Sequence, residues 1–155
     1  MLKMSKWQVK RRLFNTLLLD CDNKPVNSIT YHRGKYLIKG IINNSSSSIC
    51  RVKADLLAVE GTYKGQAKIQ LGNDNFPFSA RALSADITIN EESYCLEQLP
   101  NRDFRILNAG RIQGYFTRTW KRTVNAEALD AWGSEKIALF YVISDIMLHE
   151  DDLYA

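Results

Sequence analysis

Three cysteines and two histidines in 155 residues leave little material for the commonest reactive or cross-linked sites. Cys21, Cys50 and Cys95 are odd in number, widely spaced and without a CxxC pair. That excludes a disulfide framework and a thiolate zinc site, and it reads as buried free thiols packing as small hydrophobes. His32 falls in "YHRG", a turn, and His149 in the acidic stretch "LHEDD", a run of solvated charge, so no metal site is expected.

Long apolar runs are absent too: nothing approaches the roughly 20 residues that a membrane span requires. The N-terminal "MLKMSKWQVKRRLFNTLLLDC" places basic residues before "LFNTLLL", but Asn15 and Thr16 interrupt that run and no small-residue cleavage site follows. It reads as part of the fold, and the protein is expected in the cytoplasm. Catalytic signatures are also missing, with no GxSxG elbow, P-loop or GxGxxG fingerprint. Cys95 has no local base, and Glu60, Asp86, Glu91 and Glu92 read as turn or strand-surface carboxylates. The expectation is a protein that is not an enzyme and carries no cofactor.

What is present is an ordinary globular composition, 45% hydrophobic and 25% charged, of a size for one domain over 1–155. Period-two alternation dominates. Cys50, Val52, Ala54 and Leu56 alternate with Arg51, Lys53 and Asp55, and Tyr63, Gly65, Ala67, Ile69 and Leu71 with Lys64, Gln66, Lys68 and Gln70. "GKYLIKGII", "FSARALSADITI", "FRILNAG", "RIQGYFTRTWKRT" and "EKIALFYVISDIML" also read as strands, rich in Ile, Val, Thr, Tyr and Phe. Turn formers separate them on short connections, which points to antiparallel neighbours.

"NAEALDAWG" reads as a short helix, with Asn125 as cap and Gly133 as stop. "SKWQVKRRLFNTLLLD" fits a helix through Val9, Leu13, Phe14, Leu17 and Leu18, and equally a strand through Trp7, Val9 and Leu13. "NNSSSS", residues 43–48, is too close to the N-terminus to link two autonomous cores and reads as a hairpin or strand-connecting turn. The expected fold is mainly β: a single antiparallel β-barrel or β-sandwich of about seven strands with one or two short helices. An immunoglobulin-like sandwich is one form it could take.

Charge is uneven. Lys3, Lys6, Lys10, Arg11 and Arg12 precede the first acid, Asp20. Arg102, Arg105, Arg111, Arg118, Lys121 and Arg122 form a second basic tract in which Asp103 is the only acid, and acids dominate after Asn125. A basic face for an anionic ligand or partner is the expectation. "QGYFTRTW" offers Tyr115 and Trp120 as stacking platforms beside Arg111, Arg118, Lys121 and Arg122, the ingredients of single-stranded nucleic-acid binding. On a strand, however, Ile112, Gly114, Phe116 and Arg118 face one way and Arg111, Tyr115, Thr117 and Thr119 the other, so Phe116 belongs to the core.

The stretch from "KRRLFN" through "NNSSSSI" to "ICRVKADLL" and "GQAKIQL", residues 10–71, resembles a PilZ domain. That family is a small β-barrel that binds cyclic diguanylate through an RxxxR element and a later [DN]xSxxG loop. The resemblance implies a ligand site of Arg11, Arg12, Asn43, Ser45 and Ser48. Asn15 and Thr16 stand where a second arginine would fall, and Ser48 stands in the glycine position. The sequence therefore points first to a non-catalytic adaptor or regulatory module that engages a protein partner through a basic face or a β-edge. A PilZ-like receptor for a cyclic dinucleotide or similar anionic ligand is the first alternative, and single-stranded nucleic-acid binding the second.

Overall fold

The computed structural model describes residues 3–12, 15–32, 35–42, 45–59, 62–71, 74–80, 83–89, 91–119 and 122–154, with side chains described over 3–12, 15–30, 36–41, 83–89, 91–119 and 122–148. Among the described residues, twelve strands precede one α-helix, with a short 3-10 turn (Pro100–Arg102) between the ninth and tenth strands: β1 (Met4–Arg11), β2 (Thr16–Leu19), β3 (Pro25–His32), β4 (Lys35–Ile42), β5 (Ser45–Val59), β6 (Thr62–Leu71), β7 (Asp74–Ala80), β8 (Ser84–Ile89), β9 (Glu92–Gln98), β10 (Phe104–Asn108), β11 (Arg111–Arg118), β12 (Thr123–Leu129) and α1 (Ser134–Tyr154). Each strand pairs antiparallel with the next, and β1 pairs with β12 from Met4↔Leu129 to Lys10↔Thr123, completing a barrel. Between β7 and β8 the described pairs are Ser79↔Asp86 and Ala80↔Ala85.

Up-and-down order puts alternate connections at opposite ends. The first end holds the β1–β2, β9–β10 and β11–β12 connections; the second holds β2–β3, β4–β5 and the entry to α1. Alternation then sorts side chains between lumen and exterior. Val9, Leu18, Ile29, Tyr36, Ile38, Ala85, Ile87, Tyr94, Leu96, Phe104, Ile106, Phe116, Val124, Ala126 and Ala128 are buried in one cluster with the helix.

α1 fills the lumen. Ile137–Ser144 and Ile146–Leu148 are all buried, leaving Asp145 as the half-buried exception. A helix apolar on every side is stable only where every side is covered. Phe140 meets Tyr94 of β9 at 5.1 Å, and Phe116 of β11 meets Tyr141 at 6.2 Å, both edge-on. The run "EKIALFYVISDIML" is therefore helix, not strand. Continuous burial erased the periodicity that separates the two, and its length alone marked it as too long for an ordinary strand.

"NAEALDAWG" corrects in the opposite direction. Its first residues belong to β12, where Val124, Ala126 and Ala128 point inward and Asn125 outward. Alanine-rich composition favours helix, but the pairing of β12 with β1 and β11 overrides that propensity. Residues 5–19, compatible with either form, are two strands in register from Gln8↔Leu19 to Arg11↔Thr16. The helix is a single long one of 21 residues, and the strand count exceeds the expected seven. Ser45–Ser48, expected as a turn, are the first residues of β5, with Ile42↔Ser45 and Lys39↔Ser48 as pairs. Cys21, expected buried, is exposed in the β2–β3 turn, and Cys95 is half-buried; both are free thiols.

Gly114 is required by close approach. A Cβ there would lie 2.6 Å from the Glu127 backbone oxygen and 3.3 Å from Ala128 Cα. Gly114→Ala must push β11 from β12 and is expected to lower stability by about 1–3 kcal/mol, read as a fall in urea midpoint at unchanged m-value.

Candidate binding site at the basic end of the barrel

The first end of the barrel collects the arginines. β1 terminates at Arg11, whose amide donates to the Arg122 carbonyl at 3.0 Å, so the two basic tracts of the sequence meet directly. Arg12 follows, its amide held by the Asn15 carbonyl at 2.9 Å. Arg102 and Arg122 occupy left-handed turn positions, φ 63° and φ 56°, which carry their exposed side chains beyond the strand ends. Asp103 is spent locally: its Oδ1 accepts the Arg118 amide at 2.9 Å and its carbonyl accepts the Leu99 amide at 2.7 Å.

Arg118 is the inward-facing member. Its Nε and Nη2 are buried and without a hydrogen-bond partner among the described residues. Desolvation pulls its pKa below the usual guanidinium value, Tyr141 and Asp145 push it back up, and Arg11 and Arg102 pull it down further. Beneath it lies a polar knot on the helix. Tyr36 Oη donates to Asp145 Oδ2 at 2.8 Å. Burial first, and the Asp145 charge second, push the Tyr141 hydroxyl up to about 12, against the opposing influence of Arg118 and Arg11.

Only part of this end was legible as a site. Arg11, Arg12, Arg118 and Arg122 come together here, with Lys10 and Arg102 beside them. Arg111 starts β11 at the other end, and Tyr115 is half-buried on the face opposite to Arg118. These two therefore lie apart from Arg118, as the strand alternation predicted. Trp120, Lys121 and Asn43 lie outside the described residues; Ser45 and Ser48 lie in β5 without described side chains. Ser45 opens β5 at the second end, whereas Arg11 closes β1 at the first, so the arginines and the serine stretch do not form one pocket. Tyr36, Tyr141 and Asp145 were missed. The available signal was a lone acid, Asp145, inside "KIALFYVISDIML", where a charge survives only with partners.

The helix carries its "HEDD" residues toward this same end. An acidic segment and a negative helix terminus are both stabilised by neighbouring cations. No cluster of metal-ligating side chains occurs among the described residues. Nor, among them, is any helix long and apolar enough to cross a membrane.

No family model matches the sequence, and no curated protein matches it. The fold has a solved counterpart. An X-ray structure of a protein from Arabidopsis thaliana superposes with a TM-score of 0.65 at 9% identity, over 92% of this chain and 91% of that one. At that identity the likeness is one of fold.

Proposed function

We propose that the protein is a non-catalytic cytoplasmic binding module that engages an acidic segment of a protein partner through the basic end of the barrel. The supporting observation is the convergence of two basic tracts, about a hundred residues apart in sequence, at the Arg11–Arg122 contact. Guanidinium groups on short turns suit carboxylate recognition, because each offers paired donors in a fixed plane.

Fluorescence anisotropy with a labelled oligoglutamate peptide tests this reading. Binding is expected to weaken as salt rises. It should fall at least about tenfold in the double variant Arg11→Glu, Arg122→Glu, whose side chains are both exposed. Equal binding of an oligoserine peptide, or an unchanged affinity in the double variant, would remove it. Displacement of the peptide by cyclic diguanylate would move the reading to a small anionic ligand at the same arginines.

A further inference from the structure

At the basic end of the barrel, one edge of an inward-facing arginine is left without an acceptor. By strand alternation Trp7, Val9 and Arg11 of β1 share the inward face, and so do Phe116 and Arg118 of β11. Val124 of β12 stands between Val9 and Arg118 in the register. Arg11 and Arg118 therefore look into the same side of the barrel mouth, the first exposed and the second half-buried. Both act on the Tyr141 hydroxyl of α1, which meets the Arg118 guanidinium. The Arg118 atoms that are buried with no hydrogen-bond partner among the described residues are Nε and Nη2. Their N–H bonds point the same way along one edge of the guanidinium plane, and that edge is the fork that receives both oxygens of a carboxylate.

The acids nearby are engaged elsewhere. Asp103 accepts the Arg118 backbone amide on Oδ1 at 2.9 Å, and Asp145 accepts the Tyr36 hydroxyl on Oδ2 at 2.8 Å. Arg11 and Arg102 add positive charge around the same group. A buried donor pair beneath converging cations is costly unless an anion meets it. Two parallel donors match the two oxygens of a carboxylate and leave the further oxygens of a phosphate unserved by that edge. On the reading that this end takes an acidic segment, we infer that one carboxylate of the segment enters the barrel mouth and is held side-on by Nε and Nη2 of Arg118, with Arg11 beside it. The exposed Arg12 and Arg122 draw the segment in by charge, whereas Arg118 selects the carboxylate by geometry.

The probes are acetate and the oligoglutamate peptide, each titrated into the full chain at constant ionic strength while the Arg118 Nε–H resonance is followed by NMR. Saturable movement of that resonance is expected with both. Arg118→Lys keeps the charge and loses the fork, and is expected to weaken peptide binding roughly tenfold. Arg111→Lys, at the other end of the barrel, should leave it unchanged. The titration uses the unaltered chain, so it is decisive even where Arg118→Lys fails to fold. A resonance that neither probe moves would overturn the inference; peptide binding still seen by anisotropy would then leave the acidic-segment reading standing. Unchanged peptide affinity in a folded Arg118→Lys would also overturn it. Movement by acetate without peptide binding would support the carboxylate site and remove the acidic segment as its source. Movement by inorganic phosphate at lower concentration than acetate would overturn the assignment to a carboxylate.

Discussion

Phe140→Ala is expected to destabilise the protein by about 3–5 kcal/mol, the largest loss from any single truncation of the helix. Phe140 is wholly buried and sits between Tyr94, at 5.1 Å, and Trp132, at 5.2 Å. The cost of a large-to-small change depends on how far the surroundings can collapse into the space left behind. Here they are constrained. The helix is enclosed by a wall whose strands are each hydrogen-bonded on both sides, so no wall element can move inward without disturbing two ladders. With total stabilities of about 5–15 kcal/mol for ordinary domains, such a loss leaves a substantial unfolded population at moderate denaturant. Urea unfolding followed by far-ultraviolet circular dichroism measures it. Leu83→Ala, at a side chain 68% exposed, is the control and should change stability by no more than about 0.5 kcal/mol. Equal midpoints for the two variants would mean that α1 does not form the core of the barrel.

The same enclosure explains which elements could be read from sequence. A strand with one face inward and one outward writes its geometry as alternation, and β4, β10 and β11 were legible for that reason. "FSARALSADITI" looked like one strand because both halves alternate; its break after Ala80 separates β7 from β8. A helix inside a barrel has no outward face, so its sequence carries no period to detect. "EKIALFYVISDIML" then follows its β-branched and aromatic content into the wrong class. β12 erred conversely, because alanine is chosen there for the narrow inward positions facing the lumen, not for helix propensity. Both readings failed where tertiary context sets the residue choice.

For the site, net charge was visible and its arrangement was not. Segregation of Arg11 and Arg12 from Arg118 and Arg122 along the chain says nothing of distance. Only closure of the barrel, β1 against β12, brings Arg11 to Arg122. The inward turn of Arg118 follows from the alternation that buries Phe116, two residues before it. Its partners follow from the helix, whose placement the sequence concealed. Position also separates Ser45, the first residue of β5, from the arginines: strand direction assigns them to opposite ends, whatever their motif spacing.

Alkaline pH is expected to weaken the folded state through Tyr141. Burial first, and the neighbouring Asp145 charge second, raise its pKa from 10.0 to about 12 in the folded protein. The folded state therefore holds the phenolic proton more tightly than the unfolded chain does. The associated stability is complete below pH 10 and is lost progressively as pH rises toward 12. At about 1.4 kcal/mol per pH unit, the full loss is about 3 kcal/mol, with about half of it reached by pH 11. Tyr94 is also raised, by burial and by its hydrogen bond to Glu92, and so acts in the same sense. Lys136, whose pKa burial lowers, acts in the opposite sense as it deprotonates. Tyr141→Phe separates these contributions, because Tyr94 and Lys136 remain in both proteins. Near neutrality the variant should be the less stable, having lost the hydroxyl that meets the Arg118 guanidinium. Between about pH 10 and about pH 12 the difference should shrink and then reverse. Urea midpoints measured across that range give the curve, and tyrosinate absorbance reports the ionisation itself. Parallel curves for the two proteins would show that Tyr141 is not held protonated inside the barrel, and with it would fall the polar knot beneath Arg118.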